Sequence, residues 1–383
     1  VTRTVWLLAG EASGDVLGAR LMASLQTLRG DLRFIGVGGP RMIEAGLADM
    51  LFPMSDLAVM GLAEILPRAL FLRRRLRQAA ANITAVRPDL VVTIDSPGFA
   101  LRLLKSIRPL GLRRVHYVAP QVWAWRESRV KGFPGLWDEL LCLLPFEQAF
   151  FAKHGIASRF VGHPVLQSGA DLGDGRRFRD VHDIAPDAPV VVLMPGSRRN
   201  EAPRLLPVFG QTVALLARDF PNLVPVVPSS PVVTELVARA ASSWPVKPIV
   251  VTTIAEKHDA YAAAGAALTK SGTSTLELAL AGVPMAVTYR VNPVTAALAR
   301  RLIRVPHVAM VNLLAGREVV PELLQGDCTP EVLRDVVRRL LTDTAMAAAQ
   351  RAAFAGVIRS LAAPEGLPAN AAALAVLGVL EAG

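Results

Sequence analysis

Short runs of β-branched and aliphatic residues alternate with stretches of helical periodicity along almost the whole chain. That alternation limits the possible fold more than any other feature. In the first half the runs are Thr4 to Ala9, Arg33 to Val37, Leu90 to Ile94, Arg114 to Val118, Glu139 to Leu143 and Ser158 to Val161. A second series follows at Val190 to Leu193, Leu223 to Val227, Ile249 to Thr252, Ala266 to Thr269 and Met285 to Thr288. Strands this short and apolar, each followed by a helix, predict an α/β class with parallel sheets covered on both faces. After the first run, Leu17, Leu21, Leu25 and Leu28 recur at helical spacing, and Ser13 or Asp15 is placed to cap that helix. A polar stretch rich in Gly, Asp and Arg, Gly169 to Asp187, separates the two series. At 383 residues the chain is too long for one ordinary core, and 52% hydrophobic residues are ample for two. The expected organisation is two doubly wound domains, residues 1–165 and 166–350. An alanine-rich helical tail, 351–383, can return to the first domain. Doubly wound sheets bind ligands at the carboxyl ends of their strands, so two such domains facing each other form one cleft.

Composition narrows the partners. A net charge of +10 favours anions: nucleic acid, phosphorylated substrates or an anionic membrane. Aromatics are only 5% and no arginine–aromatic repeat occurs, so no nucleic acid partner is expected. Cys142 and Cys328 stand apart, which suggests neither a disulfide framework nor a cysteine metal site and fits a reducing cytoplasm. The histidines lack metal-ligand spacing, so no metal is expected. The apolar run Val5 to Ala9 passes straight into Gly10-Glu11-Ala12-Ser13-Gly14-Asp15 without a cleavage-site pattern, and reads as a strand rather than a leader. No uncharged apolar run reaches the roughly 18–20 residues that span a bilayer, so membrane contact is expected to be peripheral.

The most informative motif runs from Thr269 to Glu277, a hydroxyl-rich glycine turn entering an apolar helix with one carboxylate in its first turn. Helix amides with the hydroxyls of Ser271 and Thr273 beside Gly272 suit a phosphate, and Glu277 suits a ribose diol. A second reading stands beside it, because Ser274-Thr275-Leu276-Glu277 is also a capping box. A second phosphate-type turn, Met194 to Glu201 with Gly196, Ser197 and Arg198, follows the run Val190 to Leu193. Two such turns imply one shared ligand site.

At the end of the first strand, residues 10–15 lack the Gly-x-Gly-x-x-Gly of a dinucleotide enzyme but place Glu11 and Asp15 at the cleft mouth. Asp15 is equally readable as an N-cap. Asp95 ends an apolar strand, where partial desolvation can raise a carboxyl pKa and make a general base. An Asx-turn or N-cap serves as well there. Trp123 and Trp125 suit contact with a sugar or acyl chain, or simple packing. His163 at the domain junction reads as hinge or core. There is no Asp-x-Asp, so Arg198 and helix N-termini are left to neutralise a diphosphate without magnesium.

Pro67 to Ala85 has the form of an amphipathic helix opened by proline. Leu72, Leu76, Ala79, Ala80 and Ile83 share one face, and Arg73, Arg74, Arg75 and Arg77 spread over the other with Leu70 and Phe71 among them. Apolar residues among arginines suit the headgroup boundary of an anionic bilayer, and 57–62 can extend the patch. A merely solvated basic face is the alternative.

Taken together, the chain resembles the lipid A disaccharide synthase family. The resemblance spans almost the entire chain and rests on residues 10–15, 37–42, 59–61, 94–97 and 117–126. Further matches are 144–147, 162–164, 193–198, 271–273 with Glu277, and 312–318. It implies a GT-B fold, in which two Rossmann-like domains face each other across a cleft. The first would meet acceptor and membrane, and the second would bind the UDP-sugar through Arg198, Ser271, Gly272, Thr273, Glu277 and Asn312. Asp95 becomes the leading base. Gly98 and Ala100 replace polar residues that the family often shows after that aspartate, so those side chains receive no role.

The implied reaction joins UDP-2,3-diacylglucosamine to 2,3-diacylglucosamine 1-phosphate through a β-1,6 bond, inverting the donor carbon and releasing UDP, with no cofactor. The implied partners are that donor, that acceptor and an anionic membrane surface. The implied location is cytoplasmic, peripheral to the inner membrane. A UDP-sugar 2-epimerase of the same architecture, or a nucleotide-sugar-binding protein without turnover, are the alternatives.

Overall fold

The computed structural model describes residues 2–57, 62–199, 201–292 and 305–382, with the backbone alone at 62–67. Residues 58–61, which carry most of the expected extension of the basic helix and the 59–61 match, lie outside the described residues. The chain divides into two compact units, Val1–Pro164 with Leu361–Gly383, and Val165–Ser360. Position 351, expected to open the terminal helices, falls inside the helix Thr344–Ser360 of the second unit.

The first unit holds a seven-stranded sheet, with spatial order β3-β2-β1-β4-β5-β6-β7. Its strands are β1 (Arg3–Ala9), β2 (Leu32–Val37), β3 (Leu47–Met50), β4 (Leu90–Ile94), β5 (Arg113–Tyr117), β6 (Glu139–Cys142) and β7 (Ser158–Phe160). All pairings are parallel. The chain winds outward through β2 and β3, returns beside β1 as β4, then winds the other way. Right-handed crossovers therefore put α1 (Ala12–Leu28) and α2 (Pro40–Glu44) on one face, and α3 (Leu62–Val86) and α4 (Pro97–Ile107) on the other. The apolar runs reflect this two-sided burial. Val5, Leu7 and Ala9 pack with Leu17, Leu21 and Leu25 of α1, while Trp6 and Leu8 pack with Ala79, Ile83 and Leu103. The strand β3 has no apolar run to announce it, because it is a four-residue edge exposed after Leu47.

Three local expectations are corrected. Leu28, the last residue of α1, is exposed rather than buried. The N-cap of α1 is Glu11, with neither Ser13 nor Asp15 bonding its N-terminus. Pro67 does not open its helix, which starts at Leu62. The preceding Leu-Ala-Glu-Ile are good helix formers, and the helix runs on through Pro67, its sixth residue, without that residue's own N–H bond.

The C-terminal helix Pro368–Glu381 packs on α1 and buries Ala372, Ala373, Val376 and Leu380 in the same cluster. The segment before it is locked to β7's exit. His163 N–H donates to the Leu361 carbonyl at 2.9 Å, and a Cβ on Gly162 would stand 2.7 Å from Ala363 N.

The second unit repeats the plan in a six-stranded parallel sheet of order β10-β9-β8-β11-β12-β13. The strands are β8 (Val190–Met194), β9 (Val224–Pro228), β10 (Ile249–Val251), β11 (Ala266–Lys270), β12 (Met285–Tyr289) and the short edge β13 (Glu322–Leu324). The winding again reverses, here between β8 and β11. By the same handedness, α5 (Ala202–Asp219) and α6 (Thr234–Ala241) cover one face, and α7 (Ile254–Ala263) and α8 (Ser274–Leu280) the other. Each unit thus has one topological switch point, β1/β4 in the first and β8/β11 in the second.

Candidate active site

Each switch point carries the motifs that the sequence singles out. In the first unit Ala9 pairs with Ile94, so the turns after β1 and β4 leave the sheet side by side. A Cβ on Gly10 would stand 2.3 Å from Ser96 Oγ, which explains the glycine and brings the Glu11 turn against the Asp95 turn. Asp95 and Ser96 both have left-handed backbone, with φ of 54° and 47°, and Val118 beyond the neighbouring β5 reaches 78°. For a β-branched valine this conformation is strained. Backbone bonds hold the distorted ends: Asp95 N–H donates to the Tyr117 carbonyl and Val118 N–H to the Leu141 carbonyl. Left-handed backbone is thus concentrated in three residues at two adjacent strand ends.

Asp15 lies elsewhere. Its buried carboxylate accepts from Gly39 N–H at 2.8 Å, Met42 N–H at 3.0 Å and Arg41 N–H at 3.0 Å, and so caps α2. A group holding three amides is a structural clamp, and the cleft-mouth expectation for it is corrected. Glu11 is exposed at the start of α1.

The two tryptophans also separate. Trp123 is half-buried, edge-on to Phe146 at 4.8 Å, and donates from Nε1 to Glu147 Oε1 at 3.0 Å. Glu147 Oε2 accepts from the Leu143 and Leu144 amides. Burial pushes the Glu147 carboxyl up to about 7, against the pull of those donors. Trp125 is exposed, with the Arg126 guanidinium 4.3 Å over its ring.

In the second unit Glu277 does not form the capping box. The N-cap of α8 is Thr273, with no side-chain bond. Glu277 Oε2 instead accepts from Lys257 Nζ at 2.9 Å and from the Tyr261 hydroxyl at 3.2 Å, both on α7. Burial first, then the Glu277 charge, keeps the Tyr261 phenol protonated. Among the described residues Oε1 has no partner and is left for another donor.

The Ser271 hydroxyl donates to the Val308 carbonyl at 2.5 Å, so its proton is already used, although its lone pairs are not. Gly272 is open around its Cβ position and Thr273 is exposed. Asn312, expected at the nucleotide, is fully buried. Its amide donates to the Val320 carbonyl and Glu322 Oε1, and its oxygen accepts from the Val319 and Val320 amides. All four hydrogen-bonding positions are filled, so no ligand contact remains. Glu322 in turn accepts from the Val308 and Ala309 amides, so Asn312 supports the Ser271 turn from below.

The turn after β8 has Gly196 at φ 106° and an exposed Arg198. Arg198 Nη1 is 3.4 Å from Glu201 Oε1, which also accepts from Lys270 Nζ at 3.0 Å. Lys257, Tyr261, Lys270, Glu201 and Glu147 were not among the expected site residues. Lys270 and Glu201 stand inside the turns already singled out, and Glu147 inside residues 144–147. Lys257 and Tyr261 had only their i, i+4 spacing to mark them. The helix α3 presents Leu70 at 82% exposure, with Phe71, Arg73, Arg74 and Arg77 also exposed. Arg75 does not join that face. It pairs with Asp56 at 2.6 Å and stacks against Phe52 and Phe71.

The model of the lipid-A-disaccharide synthetase family matches residues 5–372. This chain belongs to that family. It is 62% identical over 379 residues to the lipid-A-disaccharide synthase of Gluconobacter oxydans, covering 99% of this chain and 91% of that one. Among solved structures, the glycotransferase of kitacinnamycin superposes with a TM-score of 0.67 at 18% identity, covering 99% and 100% of the two chains. A UDP-GlcNAc 2-epimerase from Neisseria meningitidis, bound to UDP-GlcNAc, superposes at 0.61 and 12% identity, covering 98% of both. Those two likenesses show the GT-B architecture, which glycosyltransferases and epimerases share. Membership in the lipid-A-disaccharide synthetase family decides between them: the chain is a glycosyltransferase, a hexosyltransferase acting on a sugar-nucleotide donor and a glucosamine-phosphate acceptor. Neither the epimerase reading nor the non-catalytic one is favoured.

Proposed function

We propose that this hexosyltransferase uses Asp95 as general base and the turns at 196–198 and 271–273 to hold the diphosphate of UDP-2,3-diacylglucosamine. Glu277 takes the ribose hydroxyls. Asp95 removes the proton from the 6-hydroxyl of 2,3-diacylglucosamine 1-phosphate as that oxygen attacks the donor carbon from the face opposite the diphosphate. Arg198 and the helix amides stabilise the charge that develops on the departing UDP. The observation that carries this reading is the left-handed Asp95–Ser96 turn at the β1/β4 switch point, where ligands of doubly wound sheets bind.

The acceptor is a lipid, and α3 supplies a matching surface. Leu70 and Phe71 stand among exposed arginines, which supports peripheral docking on the anionic cytoplasmic face of the inner membrane. Among the described residues no helix is long and apolar enough to cross a membrane. Trp123 and Trp125, on the short helix Val122–Trp125 after β5, take the acyl chains.

Purified protein incubated with both acylated substrates should release UDP and form the disaccharide. Asp95→Asn should keep UDP affinity, measured by calorimetry, while transfer falls by roughly two or more orders of magnitude. Transfer at the parent rate would remove Asp95 from the mechanism, and equal loss of binding and turnover would make it a positioning residue.

A further inference from the structure

The turn after β8 contains an anion of its own. Glu201, just ahead of α5, places Oε1 3.0 Å from Lys270 Nζ and 3.4 Å from Arg198 Nη1. Its Oε2 lies 3.0 Å from where a Cβ on Gly196 would stand, and the Lys270 stem 3.6 Å from the same point. A side chain at position 196 would therefore crowd the Glu201 carboxylate and touch the Lys270 stem at ordinary contact distance. Lys270 is only 18% exposed and Glu201 19%. The Lys270 ammonium also lies 5.4 Å over the Tyr289 ring. A cation so enclosed needs a negative partner close by. A cavity of about 260 Å³ opens beside the pair, with Arg204 and Arg290 adding positive charge to its wall.

We infer that Glu201 is a resident counter-anion, seated between Arg198 and Lys270 in the place of a phosphate, and that the donor's diphosphate displaces it. Lys270 thereby becomes a second cation of the diphosphate site. This rests on the nucleotide-sugar reading above and deepens it. A carboxylate and a phosphate cannot share the same two cations without strong repulsion at such distances, so binding is an exchange of anions. The exchange keeps the ammonium and guanidinium paired throughout. It also weakens the hold on UDP by the strength of the internal pair, which favours release of the product.

The exchange predicts a gain of affinity from removing a charged side chain. Binding of UDP, inorganic pyrophosphate and uridine to the parent, Glu201→Gln and Lys270→Met would be measured by calorimetry. Glu201→Gln keeps the shape and loses the charge, so UDP and pyrophosphate should bind on the order of ten-fold tighter and uridine unchanged. Lys270→Met should bind UDP on the order of ten-fold weaker, again without effect on uridine. Unchanged or weaker UDP binding by Glu201→Gln would overturn the inference and leave Glu201 as a structural tie. If that variant does not fold, Glu201→Asp, one methylene shorter, must show the same sign. A parent that binds no UDP would sink the nucleotide-sugar reading itself. A parent that binds UDP and transfers sugar, with no tightening in the variant, would sink the exchange alone.

Discussion

At the scale of single residues, carboxylates in this protein do different work because they find different partners. Asp15 is surrounded by three amides and fastens α2. Glu147 ties the loop after β6 to Trp123. Glu277 directs one oxygen to Lys257 and Tyr261, and its other oxygen has no partner among the described residues. Replacing Glu277 with Gln should therefore weaken UDP binding roughly ten-fold or more, the scale of a hydrogen bond to a charged group. Thermal stability should change little, because the Lys257 pair is partly solvated. Unaltered UDP affinity in the folded variant would assign Glu277 a purely structural role.

At the scale of elements, α3 serves two surfaces. Ala79 and Ile83 are buried against the first sheet, and Arg75 is drawn inward by Asp56. The remaining arginines frame Leu70 and Phe71 on the outside, where burial against protein does not account for them. Leu70→Ser with Phe71→Ser should weaken binding to anionic liposomes roughly ten-fold or more at moderate salt, from the apolar area withdrawn from the bilayer. Activity on a detergent-dispersed, short-chain acceptor should change much less. If the double variant binds liposomes like the parent, membrane contact lies on another surface.

At the scale of the whole molecule, the chain end completes a core begun by the first strand. Ala372, Val376 and Leu380 lie in the same cluster as Leu7 and Leu25. Removing 361–383 should leave the first unit without one wall of its core, giving aggregation or loss of cooperative unfolding in a thermal melt. Acid should act through buried histidines. His116 is buried on β5, bonded through Nδ1 to Thr93 Oγ1 of β4 and stacked on Trp137, with no partner for Nε2 among the described residues. Burial pulls its pKa down to about 4, and that of His163 likewise. A depressed pKa means the neutral ring is favoured in the fold. The stability this contributes is complete above about 6.5 and is lost as pH falls toward 4, up to about 3 kcal/mol for His116. Glu147 runs the other way: its raised pKa favours the fold in acid, a contribution lost as pH rises through about 7. Urea melts at pH 7 and pH 4.5 should show a smaller acid loss for His116→Phe, which keeps a ring on Trp137 but cannot titrate. Equal losses in parent and variant would place the acid sensitivity elsewhere.

The local sequence by itself determined the two parallel sheets and the glycine turns at their strand ends. Strands buried on both faces must be apolar throughout, and a turn leaving a strand at close quarters must contain glycine. It also carried the family, through ordered matches along the chain. The edge strands β3 and β13 escaped it, because exposed three- and four-residue edges need no apolar pattern. Tertiary structure alone decided which polar groups are engaged and which face outward. Asp15 finds its amides 24 to 27 residues away, Glu277 its lysine 20 away, and Lys270 its glutamate 69 away. Those meetings follow from strand order and the hand of each crossover. Hence Asn312 and Asp15, which look like ligand contacts along the chain, become internal supports, while Lys270 and Glu201 come together at the β8/β11 switch point.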